Sequence, residues 1–286
     1  MKYALVTVFF PTIDVCHNIS KLLPQFDKVF VLDNTPLNDN SILFKDYNLE
    51  YIFFNENRGL SLAFNYVLTN SNYVFSDDDF IFFFDQDSSV EDNHVDLIIK
   101  EFESLENNGN KVGCLGPVFF NTSSNLLEVP RKKGFLNKNS FSVKSVITSS
   151  MCCRYSVLKD VGFWNDEIFL DMADWDLSWR IINKNYLCVM TNIVVMTHSL
   201  GIGERRILGF LRVRQGAPIR EYYQTRDCLY LLKKNYVPLK FKLRFILMIL
   251  VRPFVHYIFL IEKNKRMSYV FQGIIDYFKK KKGCIR

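Results

Sequence analysis

A chain of 286 residues that is 49% apolar and 15% aromatic can bury a large core, which excludes a disordered or low-complexity protein. Its seven cysteines, an odd number with no CxxC pair, sit mostly inside apolar runs, as reduced thiols of a cytoplasmic protein do, and exclude a disulfide framework. The net charge of +6 is unevenly divided: residues 238–286 carry 12 Lys and Arg against 2 acids, while residues 1–237 carry 24 against 28.

The first apolar run lies in MKYALVTVFFPT. It has no small-residue cleavage site and meets Pro11 after eight residues, so it reads as a first strand and not as a signal peptide. From there to about residue 200, short β-rich runs alternate with helical patterns. ALVTVFF (4–10), KVFVLDN (28–34), LEYIFF (49–54) and FIFFFD (80–85) are continuous apolar runs, the mark of strands covered on both faces. Helical spacing appears in ISKLLPQF, GLSLAFNYVLTN and VDLIIKEFESLENNG, the last closing on Gly109. The alternation predicts an α/β protein with a largely parallel sheet, whose ligands bind beyond the carboxyl ends of the strands. Those ends carry Phe10, Pro11 and Thr12, then Asp33 and Asn34, then Asp85, Gln86 and Asp87.

Asp85 and Asp87 follow five consecutive apolar residues and have no base adjacent in sequence. Carboxylates at the mouth of a buried strand need a counter-charge. A hard cation, Mg²⁺ or Mn²⁺, takes one or two of them and fills its remaining positions with water and phosphate oxygens. An Asp-x-Asp pair is thus a natural diphosphate platform, although acids after a strand also serve as solvated turn residues or helix caps. The SDDDF run at the amino end of the same strand is read as a solvated turn. ENRGLSLAFN (56–65) follows the third strand, with Gly59 at a turn and Asn57 and Arg58 able to reach a sugar or phosphate. FLDMADWDLSWRI (169–181) carries Asp171, Asp174 and Asp176 with Trp175, Trp179 and Arg180, and its first two acids, three apart, share a face. VVMTHSLG ends a strand-like run at His198; a lone histidine is more often a structural hydrogen-bonder than a ligand.

Together VTVFFP (6–11), VFVLDN (29–34), NRGLSLAFN (57–65), FFFDQDS (82–88), DMADWDLSWR (171–180), THSLG (197–201) and PIREYYQTRDCLYLLKK (218–234) resemble family 2 glycosyltransferases of the GT-A fold. The resemblance is greatest to the bacterial rhamnosyltransferase-like branch that assembles surface polysaccharides, and it spans almost the whole chain. The sequence departs from the pattern at Thr35 and Pro36, where Gly-Ser is usual, at Asp227, where Asn is common, and in ADWDLSWR, where the wider family often has Glu-Asp.

The resemblance implies a Rossmann-like, mixed but mainly parallel sheet flanked by helices over residues 1–237, with a helical C-terminal segment over 238–286. It implies an inverting, metal-dependent transfer of rhamnose or a related hexose from a dTDP- or UDP-sugar. The acceptor would be a hydroxyl of a growing, polyprenyl-diphosphate-linked O-antigen or capsule glycan. Asp85 and Asp87 would hold the Mg²⁺ or Mn²⁺, with His198 as a later metal or phosphate contact. Asp174 matches the general base, and Asp176 is the alternative. Asp33 and the edge from Thr7 to Pro11 would read nucleobase and ribose, and Asn57, Arg58 and Gln86 would line the donor. Arg220 and Arg226 would contact pyrophosphate, because guanidinium binds phosphate bidentately.

Two other classes have their own signatures. A sugar nucleotidyltransferase needs a Gly-rich, Arg-containing loop after the first strand, where FFPTIDVC stands; a non-catalytic membrane-bound scaffold would tolerate loss of Asp87 and Asp174, which are present. The tail, net +10 against −4 for the rest, has an apolar run from Phe245 to Ile261 broken by Arg252, Pro253 and His256. That pattern suits lying on an anionic membrane surface better than crossing it. It predicts a peripheral protein on the cytoplasmic face of the inner membrane, with Lys279 to Lys282 adding to the attraction. Nucleic acid is not expected, because base-stacking motifs are absent. A basic helix packed on the body, or on a second subunit of a homodimer, is the competing expectation for the tail.

Overall fold

The computed structural model describes residues 1–122, 125–130, 134–198, 204–207, 211–214 and 216–285. In chain order the elements are β1 (Lys2–Val8), α1 (Ile13–Ser20), β2 (Lys28–Asp33), α2 (Ser41–Phe44), β3 (Glu50–Phe53), α3 (Gly59–Leu68), β4 (Phe80–Asp85) and α4 (His94–Asn107). Then follow β5 (Val112–Asn121), β6 (Leu126–Glu128), β7 (Gly134–Phe135), β8 (Ser140–Val143), β9 (Met151–Arg154), α5 (Tyr155–Val161), α6 (Ala173–Asn183) and β10 (Leu187–His198). The chain closes with β11 (Glu204–Ile207), β12 (Leu211–Arg214), α7 (Arg220–Leu232), α8 (Leu239–Leu250), α9 (Arg252–Phe259) and α10 (Lys263–Phe278).

One sheet runs in the order β3-β2-β1-β4-β9-β5-β10-β8-β7, with β6 on β5, and β11 and β12 pair separately. β3, β2, β1 and β4 are mutually parallel, as is β10 against β5, while β9 enters between β4 and β5 antiparallel to both. The four predicted strands are present. ISKLLPQF is different: the helix ends at Ser20 and Pro24 falls in a separate 3₁₀ turn, Leu23–Gln25, since proline lacks the N–H that a continuing helix needs.

β4 is continuously apolar because both its faces are covered. Phe83 meets Phe64 of α3 and Trp164 on one face, while Phe82 and Phe84 meet Phe26, and Phe80 meets Phe102 of α4, on the other. At the amino end of β4 the acidic run is only partly a solvated turn. Asp77 and Asp78 are exposed, but Asp79 is buried, accepting from the Ser76 N–H at 2.7 Å.

Register decides what shares the carboxyl edge. Val8 lies beside Asp33 and Thr7 beside Asp85. Since β9 is antiparallel to β4, with Met151 opposite Phe83, residues 148–150 arrive at that edge too. β10 ends there with His198 beside Asn121, and Thr197 bridges to Ser89 in the loop after β4.

Gly59 fixes a second wall. Its φ is +73°, and a Cβ there would sit 2.6 Å from both the ring and the carbonyl oxygen of Phe169. The next N–H, of Leu60, donates to that oxygen at 2.9 Å. Gly59→Ala is therefore expected to cost more than about 1 kcal/mol and to push away the turn that leads to Asp171 and Asp174, lowering both melting temperature and activity. A melting curve alongside an activity assay checks it.

The last three helices pack on the body. Phe241 of α8 lies against Trp175 and Trp179 of α6, with Phe245 next to Trp179, and in α10 Asp276 accepts from the Tyr222 hydroxyl of α7 at 3.0 Å. Among the described residues no helix is long and apolar enough to cross a membrane.

Candidate active site

Three segments meet at the carboxyl edge of β4. Asp85 is half-buried, and its Oδ2 accepts from the Ser149 hydroxyl at 2.8 Å. Gln86 Oε1 accepts from the Phe9 N–H at 2.8 Å, which ties the turn after β4 to the end of β1. Asp87 is exposed. Thr7 is half-buried and Pro11 buried, and between them Phe10 takes a positive φ of 49°, its N–H donating to Thr35 Oγ1 at 2.8 Å. Thr35 stands where Gly-Ser is usual, and its hydroxyl holds the β1 turn.

The second group of acids comes from the turn before α6. Phe169 is fixed from three sides: its N–H donates to Asp227 at 2.8 Å, its carbonyl accepts from Leu60, and its ring stacks on Tyr223 with centroids 3.9 Å apart. Asp227, at the position where Asn is common, thus holds this turn. Burial pushes its carboxyl up to about 7, with the adjacent Arg226 guanidinium pulling the other way. Two residues after Phe169, Asp171 accepts from Arg220 and Gln224 at the start of α7, Nε of Arg220 lying 3.3 Å away. Asp174 then falls in the first turn of α6, with Oδ1 accepting from the Trp175 N–H at 2.8 Å. Burial is the main cause that raises its carboxyl to about 7, and the negative charges of Asp85 and Asp171 add to it. Asp174 thus feels the charge of the acid at the end of β4.

Other predicted residues are placed differently. Asp33 is fully buried, accepting from Thr35 N–H, Asn40 Nδ2 and the Tyr51 hydroxyl at 2.7–2.8 Å, so it builds the turn beneath the edge. Asp176 is also fully buried, held by Arg180 at 2.7 Å, the Tyr236 hydroxyl at 2.6 Å and Asn165 at 3.2 Å. With no exposed surface and three partners, it is held as a structural acid would be. Removing one partner of a buried ion pair costs about 3 kcal/mol or more. Asp176→Asn is accordingly expected to lower the melting temperature, and any loss of activity should follow the loss of folded protein, which melting curves and activity per folded molecule will separate. Arg226 is buried and paired with Asp227 at 3.1 Å, with Nη1 donating to the Gly283 carbonyl at 2.7 Å, so it braces α7 against the C-terminal strap and does not face a diphosphate. Arg220 remains at the site through Asp171.

Asn57 and Arg58 follow β3 but line a cleft of about 670 Å³ between the outer face of α3 and the chain end, together with Lys281 and Lys282. The paired acids are not among its lining. Arg58 lies over the Phe54 ring at 4.6 Å and pairs with Glu56 at 3.2 Å, and Asn57 Oδ1 accepts from the Gly59 N–H at 2.9 Å. The backbone of His198 reaches the edge through β10; its side chain lies outside the described residues. Two residues given no role from sequence help to build the site. Ser149 holds Asp85, and Asn34 clamps the turn after β3, with Oδ1 accepting from Arg58 N–H at 3.0 Å and Nδ2 donating to Gly59 O at 3.3 Å. Nothing but a run of small polar residues before β9 marks the first in sequence.

Among the described residues no three His, Cys, Asp or Glu side chains form a metal-holding group. Two hard carboxylates at an edge where acid charges repel still fit Mg²⁺ or Mn²⁺ of the kind that takes most of its ligands from water and phosphate.

The family model for "Glycosyl transferase family 2" matches residues 13–161, just over half of the chain. The dTDP-rhamnosyl transferase RfbF of Shigella flexneri is 27% identical over 293 residues, covering 97% of this chain and 92% of that protein. Two solved structures share the fold at low identity. S. aureus TarS 1-349 in complex with UDP-GlcNAc has a TM-score of 0.54 and 13% identity over 98% of this chain and 81% of that one. GalNAc-T7 with UDP, GalNAc and Mn²⁺ has a TM-score of 0.56 and 9% identity over 86% of this chain, which spans 53% of that longer one.

Proposed function

The chain belongs to glycosyl transferase family 2, and from that premise we propose an inverting, divalent-metal-dependent transfer of a sugar from a nucleoside-diphosphate donor to a glycan hydroxyl. What carries it is the acidic edge, Asp85 and Asp87 at the end of β4 and Asp174 in the first turn of α6, where burial and then the charges of Asp85 and Asp171 raise the Asp174 carboxyl to about 7. A base poised near the working pH has the greatest reach as a proton acceptor.

Asp85 and Asp87 would hold Mg²⁺ or Mn²⁺, and His198 is kept as a further candidate contact. When bound, the cation supplies Lewis-acid stabilisation of the leaving diphosphate. Asp174 takes the acceptor proton as the hydroxyl oxygen forms its bond to the anomeric carbon, the bond to the β-phosphate oxygen breaks on the opposite face, and the electron pair leaves with the nucleoside diphosphate. Arg220, now engaged with Asp171, has donors left to orient that diphosphate. Thr7, Pro11 and Gln86 shape the nucleotide end, with Asn57 and Arg58 further out. The similarity to a dTDP-rhamnosyl transferase favours a dTDP-sugar donor, with UDP-sugars next.

Residues 1–237 carry this chemistry in the proposal and 238–286 set location. The acceptor would be a growing surface glycan on a polyprenyl diphosphate, met at the cytoplasmic face of the membrane. Transfer of label from dTDP-rhamnose and UDP-sugars to lipid-linked acceptor in Mn²⁺, with the product anomer read by NMR, tests it. Transfer with inversion supports the reading. Retention, or donor hydrolysis with no glycan product for any donor, contradicts it.

A further inference from the structure

The outward side of α8 and α9 is an apolar stripe that none of the described residues covers. Helix α8 carries large apolar residues on its outward side as well as on the side that packs inward, although it also holds Lys240, Lys242 and Arg244. Its inner face packs Phe241 and Phe245 on the tryptophans of α6. Leu243, Leu247 and Leu250, at i, i+4 and i+7, point the other way, Phe254 and Ile258 repeat the i, i+4 spacing on α9, and Ile261 follows just past the end of that helix; each is more than half exposed. The two stripes join through Val251, also exposed, since the helices abut with only that residue between them. Six large apolar side chains in one such band exceed the scattered exposure of ordinary surfaces.

Charge identifies the occupant. From Pro238 to Ile261 there is no Asp or Glu, while Lys240, Lys242, Arg244 and Arg252 flank the band. A protein partner or a second copy would have to match an acid-free apolar band, whereas an anionic lipid surface matches both features, taking the apolar side chains below the headgroups and the bases among them. The band is also rigidly mounted. The buried Glu221 on α7 accepts from His256 of α9 at 2.6 Å and pairs with Arg252 at 3.3 Å and with Arg266 of α10 at 3.4 Å. Its neighbour Arg220 holds Asp171 at the candidate active site.

The tetralysine run is less suited to be the anchor. Lys281 pairs with Asp276 at 3.1 Å, its carbonyl accepts from Tyr230, and the following Gly283 carbonyl is held by Arg226, so this segment straps α10 onto α7.

We infer that the exposed face of α8 and α9 docks on an anionic lipid surface and, through Glu221 and Arg220, fixes how the candidate active site is presented to it. This rests on the location proposed above but not on the chemistry, and the two fail separately. The full chain is sedimented with phosphatidylglycerol and with phosphatidylcholine vesicles at low and high salt. It is compared with a Leu247→Gln, Phe254→Gln, Ile258→Gln variant and with Lys279 to Lys282 changed to Gln, while melting temperature, solution mass and transfer to a short soluble acceptor are followed in parallel. The expected result is binding that favours phosphatidylglycerol and weakens with salt. It should fall by about tenfold or more in the apolar variant at unchanged melting temperature and unchanged soluble transfer, and fall less in the lysine variant. No vesicle binding by the intact chain, equal binding by the apolar variant, or a dimer that this variant splits without loss of vesicle binding would each overturn the inference.

Discussion

Asp174→Asn is expected to reduce transfer by roughly 10² to 10⁴-fold, the range that positioned proton transfer contributes, while donor affinity stays nearly unchanged. In the proposed role Asp174 acts on the acceptor proton in the transition state, so its loss should weigh on turnover more than on donor affinity. Its pH behaviour follows from the same burial. With the carboxyl raised to about 7, the wild-type rate should climb by about tenfold per pH unit below that value and level off above it, and this limb should vanish in the variant. Stability moves in the opposite sense. The folded value lies above the ordinary 3.8, so the folded state holds the proton more tightly than the unfolded one. That contribution is complete at pH below about 4 and is lost as pH rises through about 7. Asp174→Asn, which has no charge to bury, should therefore melt higher than wild type at pH 8 and match it near pH 4. Rate profiles and melting curves at the two pH values check both halves.

The second large effect is expected at Asp87. Asp87→Asn keeps volume and hydrogen-bonding capacity but removes a charge that offsets the cation. Turnover should fall by more than the roughly 10- to 100-fold typical of an outer-shell partner, and saturating Mn²⁺ should not restore it. The side chain is exposed, so the melting temperature without metal should move no more than for an ordinary surface substitution. Wild-type transfer by this variant in saturating Mn²⁺ would remove Asp87 from the metal platform.

The parts of the fold that sequence made legible are those with a period or a breaker. β1, β2 and β4 are buried apolar runs, with α3 and α4 covering the two faces of β4, whereas LEYIFF forms the edge strand β3 and is only half-buried; Gly59 was legible as a turn, and its φ is positive. The insertion from β5 to β9 left no such trace: strands of two to four residues, such as Gly134–Phe135 and Met151–Arg154, are too short to show a period. At the site, the alternation of acid and neighbour in DQD was readable, but burial was not. Asp33 and Asp176 look like site acids in sequence and are enclosed by Tyr51 and Tyr236, which lie 18 and 60 residues away. Asp227, read as a departure from the family pattern, holds the Phe169 N–H across 58 residues. In the tail the charge split was plain from sequence. Which face of α8 turns inward could be seen only once Trp175 and Trp179 were placed against Phe241.

Calorimetric titration of dTDP- and UDP-sugars into wild type and Asp87→Asn, with Mn²⁺ and with a chelator, tests most directly that the edge at Asp85 and Asp87 is a metal-assisted nucleotide-sugar site. The account predicts that wild type binds at least one of these donors in Mn²⁺ and loses affinity when the metal is removed, whereas Asp87→Asn binds weakly and alike in both conditions. Donor affinity that is the same in wild type and variant, with or without Mn²⁺, or no binding of any nucleoside-diphosphate sugar by the wild-type protein, would contradict it.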